Sequence, residues 1–139
     1  MRRTVFVAML VALGGLSMAA AGLQQQQKLP PVRHIQKLRD NLYFISGGDV
    51  SDRSTWTGGN VMALVTNSGV VLVDTMLPGA GKSIIAEVKS VTDKPITTII
   101  NTHTHFDHTG SNTEFPATVE FVAHENTRAN LARATCQPV

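Results

Sequence analysis

Between Gly69 and Asp74 the chain reads Gly-Val-Val-Leu-Val-Asp, an apolar run with no polar interruption. A strand of this kind offers hydrophobic side chains to both sides of a sheet, whereas a strand with one wet face alternates. Such a strand calls for a layered fold, and its neighbours supply the layers. Asn60–Thr66 is a second apolar strand, and the intervening Asn67-Ser68 is turn chemistry, so the two segments pair as a hairpin. Within 78–91, Ile84, Ile85, Val88 and Val91 recur at intervals of three and four, which predicts an amphipathic helix with one core-facing stripe. Pro95 ends that region, and Ile96–Asn101, with its paired Thr and Ile residues, is the next strand.

Upstream, Asn41–Ser46 is rich in aromatic and branched residues and stops at Gly47-Gly48, which predicts a strand followed by a polar loop to Gly59. Downstream, a short strand is expected at 118–122 and a helix over 125–134. The order is that of an α/β layered fold. A length of 139 residues with 42% hydrophobic content fits one domain with a packed core.

The N-terminus carries Arg2 and Arg3, an apolar run from Val5 to Leu16 and then Ala19-Ala20-Ala21, which reads as a signal peptide over 1–21. The run is shorter than the roughly 20 residues a bilayer core requires, so stable membrane insertion after cleavage is not expected. Residues 22–33 form a polar and Pro-containing linker, and the folded part is expected near His34. The predicted destination is the periplasm or the exterior. Arg2 and Arg3 leave with the leader while every acidic residue lies downstream, so the mature chain has equal numbers of basic and acidic groups. A nucleic-acid partner is therefore not indicated. Cys136 is the only cysteine, which excludes an internal disulfide.

Chemistry concentrates in one run, His103-Thr-His105-Phe-Asp107-His108, directly after a predicted strand. In extended backbone, side chains two apart point the same way, so His103 and His105 can reach one ion together. Zinc takes imidazole nitrogen and carboxylate oxygen, which suits this donor mixture. Asp107 and His108 follow after one spacer, where a turn at Gly110 and Ser111 can aim them at an adjacent second site. A solvated histidine loop is the alternative, but crowded imidazoles repel once protonated and add nothing to a core.

This run, with Gly110-Ser111-Asn112 after it and Val73-Asp74-Thr75 before it, resembles the signature of the metallo-β-lactamase superfamily. The resemblance spans roughly 42–134 and implies the first half of an αββα sandwich, so that residues 34–139 would be a partial domain cut short at the C-terminus. It further implies a zinc-dependent hydrolase, with two Zn2+ in a complete domain and a metal-bound hydroxide attacking a small-molecule ester, thioester, lactone or β-lactam. Carried over, His103 and His105 serve the first zinc, and Asp107 and His108 the second. Asp107 is also the catalytic group that orients the nucleophile, and Asp74 is the buried acid that braces the metal loop. The family's remaining ligands fall downstream of Val139, so the competing reading is a catalytically incomplete exported zinc-binding fragment. His124 is read as a strand-end or helix-cap residue. Trp56, in the polar loop where similar proteins carry a substrate-covering segment, is a candidate substrate contact.

Gly79-Ala-Gly81-Lys82-Ser83 invites a phosphate-loop reading but fails its spacing, because Met76 stands where the leading glycine belongs. No G-x-S-x-G serine elbow occurs. Neither the substrate nor the oligomeric state is legible.

Overall fold

The hairpin at Asn67-Ser68 is the seed of the sheet. In the computed structural model, which describes residues 29–133, strand β3 (Val61–Val65) pairs antiparallel with β4 (Val70–Val73), and Thr66 N–H donates to Gly69 O at 2.8 Å to close the turn. The leader at 1–21, the linker as far as residue 28, and Cys136 lie outside the described residues. Strand β2 (Leu42–Ile45) adds antiparallel to β3, and β1 (Gln36–Lys37) to β2. On the other side β5 (Ile96–Asn101) and β6 (Glu120–Ala123) add in parallel, giving a six-stranded mixed sheet in the order β1-β2-β3-β4-β5-β6. Parallel strands need a crossover, and helix α1 (Gly81–Lys89) supplies it between β4 and β5. A short helix α2 (Phe106–Thr109) and a 3-10 turn (Asn112–Glu114) lie between β5 and β6, and α3 (Glu125–Leu131) follows β6.

The core lies on the face of the sheet that α1 covers. Ile84 and Val88 of the predicted stripe are buried there against Val70, Leu72, Val61, Ala63, Ile45 and Ile99. Leu29 and Val32, inside the segment read as a linker, also pack on this core, because two aliphatic side chains find apolar cover in spite of the neighbouring prolines. The folded part thus begins upstream of His34.

The other face of β4 has no cover among the described residues. Register places Phe44, Met62, Val73, Ile100 and Val122 in one row across it, with Leu42, Leu64 and Val71 in the next. Leu64, Ile100 and Val122 are 38%, 37% and 43% exposed, and no helix of the described residues lies over them. No helix among the described residues is long and apolar enough to cross a membrane.

The N-terminus of α1 settles the glycine-lysine-serine run. Ala80, at its N-cap, has no side-chain acceptor, so the free N–H groups are satisfied from elsewhere. Ser111 Oγ accepts from Ala80 N–H and Gly81 N–H, both at 3.0 Å, and donates to Leu77 O at 2.6 Å. Glu114 accepts from Gly79 N–H through Oε1 and from Gly81 N–H through Oε2. A carboxylate of the chain itself thus fills the place an anion would take at this helix start.

Ile99, on β5, is fully buried in this core, so Ile99→Ala should destabilise the fold by about 2–5 kcal/mol. Urea unfolding with an unchanged slope is the measurement. A loss of under about 1 kcal/mol would contradict this packing.

Candidate metal centre

The histidine run begins where β5 ends, and two positions of left-handed backbone in the neighbouring strand exit prepare its place. Asp74 and Met76 have φ of 65° and 62°. Such values are uncommon outside glycine and, for a residue like Met, need the surroundings to hold them. Here the surroundings do: Asp74 N–H donates to Ile100 O, Thr75 N–H to His108 O at 2.7 Å, and Gly110 N–H to Met76 O at 3.0 Å. The exit of β4 is stitched residue by residue to β5 and to the histidine loop.

That backbone aims the Asp74 carboxylate, 3% exposed, into the loop. Oδ1 accepts from Thr102 N–H at 2.8 Å, and Oδ2 lies 2.8 Å from His108 Nδ1. A carboxylate can only accept, so His108 Nδ1 donates to Asp74 and Nε2, which faces Asp107, is the ring nitrogen left to a metal. Asp74 is therefore tied to the loop as a brace.

His105 is the N-cap of α2, and its carbonyl accepts from His108 N–H and Thr109 N–H, both at 3.0 Å. This single turn of helix brings the imidazoles together. The His103 ring lies 4.7 Å from that of His105 and 4.2 Å from that of His108, centroid to centroid. Asp107 is a neighbour, with Oδ2 3.4 Å from His108 Nε2. His103 is thus central to the cluster, packed against a member of each expected pair. Among the described residues, however, no three His, Cys, Asp or Glu side chains converge on one point. His124 lies apart, as the N-cap of α3, with Nδ1 accepting from Asn126 N–H at 3.2 Å.

The polar loop after β2 is fastened beside this cluster. Thr57 N–H donates to Gly47 O at 2.7 Å, Leu77 N–H to Thr57 O at 3.0 Å and Gly59 N–H to Asp107 O at 2.7 Å. Its tip is exposed, Val50 being 72% accessible, and is shaped by turns at Asp49 and Asp52. Hydrogen bonds from Ser51 hold Asp49 below the usual carboxylate range, and those from Ser54 and Thr55 do the same for Asp52. Trp56 is half-buried at the base of this loop, where its backbone N–H donates to Asp52 O at 3.0 Å.

Gly58, Gly59 and Asn101 were given no part in the site by the sequence reading. A Cβ on Gly59 would sit 2.4 Å from the His108 ring, and one on Gly58 would sit 2.7 Å from Asp107 O, so bare backbone is required at both. Behind the loop, Asn112 Nδ2 donates to Asn101 Oδ1 at 2.8 Å, while Thr75 Oγ1 donates to Asn112 Oδ1 at 2.8 Å.

With this geometry in view, comparisons with known proteins agree on the family. A model of the metallo-beta-lactamase superfamily matches residues 54–129, more than half of the chain, and the chain belongs to that superfamily. The alpha subunit of 2,4-dinitroanisole O-demethylase from Nocardioides sp. strain JS1661 is 39% identical over 75 residues, covering 52% of this chain and 23% of the relative. Alkyl/aryl-sulfatase BDS1 of Saccharomyces cerevisiae is 29% identical over 90 residues, 63% of this chain and 13% of the relative. Among solved structures, a metallo-beta-lactamase from Hirschia baltica is 27% identical with a TM-score of 0.61 over 72% of this chain and 46% of its own. BJP-1, a subclass B3 metallo-beta-lactamase of Bradyrhizobium japonicum, is 28% identical with a TM-score of 0.59 over 76% of this chain and 38% of its own. The chain thus spans less than half the length of each of these relatives.

Gly59→Ala should push the His108 ring off Asp74 while leaving the sheet intact. The measurement is the His108 ring resonances in the metal-free protein, alongside an unchanged far-UV circular dichroism spectrum. Unmoved resonances would show that the loop has room the structure does not record.

Proposed function

We propose that this chain carries the H-x-H-x-D-H ligands of a zinc-dependent hydrolase that acts on a small-molecule ester, thioester, lactone or β-lactam, exported by the leader at 1–21. The observation that carries this reading is the crowding of three imidazoles at the C-terminal end of a central strand, with rings 4.2 and 4.7 Å from His103 and a carboxylate beside them. Such crowding is unfavourable for protonated imidazoles and favourable around a cation.

The donor chemistry fits zinc: imidazole nitrogens with one oriented by a buried carboxylate, and an oxygen donor at Asp107. His103 and His105 would hold one ion, and Asp107 and His108 a second. Two protein donors per ion are fewer than the three or four that zinc uses, so each ion would need further ligands. When bound, zinc supplies Lewis acidity, activating a water and stabilising negative charge at the attacked centre. Asp107 would orient the attacking water and take up its proton at the carboxylate. Asp74 fixes the His108 tautomer, and the loop over 47–59 limits access of bulk water from its side. Trp56 would meet the substrate from that loop. Relatives named as an O-demethylase, a sulfatase and β-lactamases indicate that this scaffold serves more than one leaving group, so the surrounding loops select the substrate.

The absence of a three-donor group among the described residues favours a second reading, a zinc-binding piece without turnover. Elemental analysis separates the two, because two tightly held zinc ions with hydrolysis of a chromogenic ester or β-lactam support the enzyme. Weak substoichiometric zinc without turnover supports the alternative. His105→Ala should abolish zinc retention, and undiminished zinc content after dialysis would contradict the ligand assignment. Trp56→Ala should raise KM several-fold with zinc content unchanged; an unaltered kcat/KM would remove Trp56 from the substrate site.

A further inference from the structure

Thr102 links the last residue of β5 to the first histidine, and its hydroxyl occupies a place that neither ligation nor acid chemistry uses. Oγ1 lies 2.7 Å from Asp74 Oδ2 and 3.0 Å from His103 Nδ1. A hydroxyl has one proton and two lone pairs. The carboxylate of Asp74 is an acceptor only, so that proton goes to Oδ2. Toward His103 the same oxygen has only a lone pair to offer, so His103 carries its proton on Nδ1 and leaves Nε2 bare.

Asp74 Oδ2 also receives His108 Nδ1–H at 2.8 Å. We infer that Thr102 is a positioning residue that relays Asp74 to His103, so that one buried carboxylate orients an imidazole of each of the two metal sites. The inference rests on the ligand assignment proposed above. Asp74 has the means to act as such a hub: it is 3% exposed, its backbone is held at φ 65°, and Oδ1 is anchored by Thr102 N–H at 2.8 Å. Hydrogen-bonding partners of this kind fix ligand tautomer and ring orientation, and their loss lowers metal affinity about 10–100-fold. Among the described residues His105 has no such link: it meets the edge of the His103 ring, and its carbonyl accepts from His108 N–H, Thr109 N–H and Thr109 Oγ1. The relay thus makes His103 and His108 the preset ligands.

The test compares wild type with Thr102→Val, which keeps the shape and loses the hydroxyl, and Thr102→Ser, which restores it. In the metal-free wild-type chain, nitrogen-15 NMR should find both His103 and His108 protonated on Nδ1. Thr102→Val should remove that preference at His103 and leave His108 unchanged, and should weaken zinc binding about 10-fold by chelator competition. Thr102→Ser should return both readouts to within about threefold of wild type, since a hydroxyl is again present to relay the bond. A wild-type His103 protonated on Nε2 overturns the relay whatever the variants do, so the proposal stands or falls even if Thr102→Val fails to fold. A folded Thr102→Val protein with wild-type zinc affinity also overturns it. Should wild type and His105→Ala hold zinc equally poorly, the ligand assignment fails, and the metal-free tautomers still decide whether Thr102 connects Asp74 to His103.

Discussion

A carboxylate taken out of water is tolerated only when donors surround it, and Asp74 meets that condition through groups that all belong to the histidine loop. Thr102 N–H, the Thr102 hydroxyl and His108 Nδ1 lie 2.8, 2.7 and 2.8 Å from its two oxygens. Satisfying this one acid therefore draws the ends of β4 and β5 and helix α2 to a common point. The left-handed backbone at Asp74 and Met76 is the local strain that aims it, and the bonds from Thr75 and Gly110 to flanking carbonyls hold that strain in place.

The same loop also anchors the crossover helix. Ser111 and Glu114, just past the histidines, satisfy the N–H groups at the start of α1, so the helix that covers the sheet and the turn that carries the ligands are one hydrogen-bonded unit. A phosphate-loop reading of Gly79–Ser83 ends there, since its donors face an internal carboxylate. From the other side, the loop fastened at Gly47 and Thr57 reaches the ligands through Gly59, where the approach leaves no room for a side chain. Rigid elements thus surround the imidazoles on two sides, which is the arrangement under which a ligand geometry can be preset.

Helix α1 covers one face of the sheet, and the opposite face carries two rows of aliphatic and aromatic residues with partial exposure. Within the described residues the chain contains a single sheet with helical cover on one side, and it aligns with 38–46% of the length of the metallo-beta-lactamases from Bradyrhizobium japonicum and Hirschia baltica. The uninterrupted apolar character of β4 makes sense in those terms: Val70 and Leu72 face the helix, while Val71 and Val73 face the open side.

Local chemistry was enough to read the elements. The Asn67-Ser68 turn, the Ile84/Val88 stripe and the strand Ile96–Asn101 are each encoded by residues within one turn or one pleat of each other, and each stands in the structure where its pattern puts it. The H-x-H-x-D-H run was equally legible, because its spacing is short. The two-residue β1 was not, since it pairs by virtue of its neighbour and has no pattern of its own. Which acid reaches which imidazole, why Gly59 must lack a side chain, and how Glu114 comes to cap α1 depend on partners 33–35 residues away or on close backbone approach. Periodicity reports which face of an element is apolar, and the sequence by itself determined that much together with the identity of the donors. Tertiary structure alone decided their orientation, because a hydrogen bond needs its two atoms within about 3 Å and only the assembled sheet brings β4, β5 and the histidine turn that close.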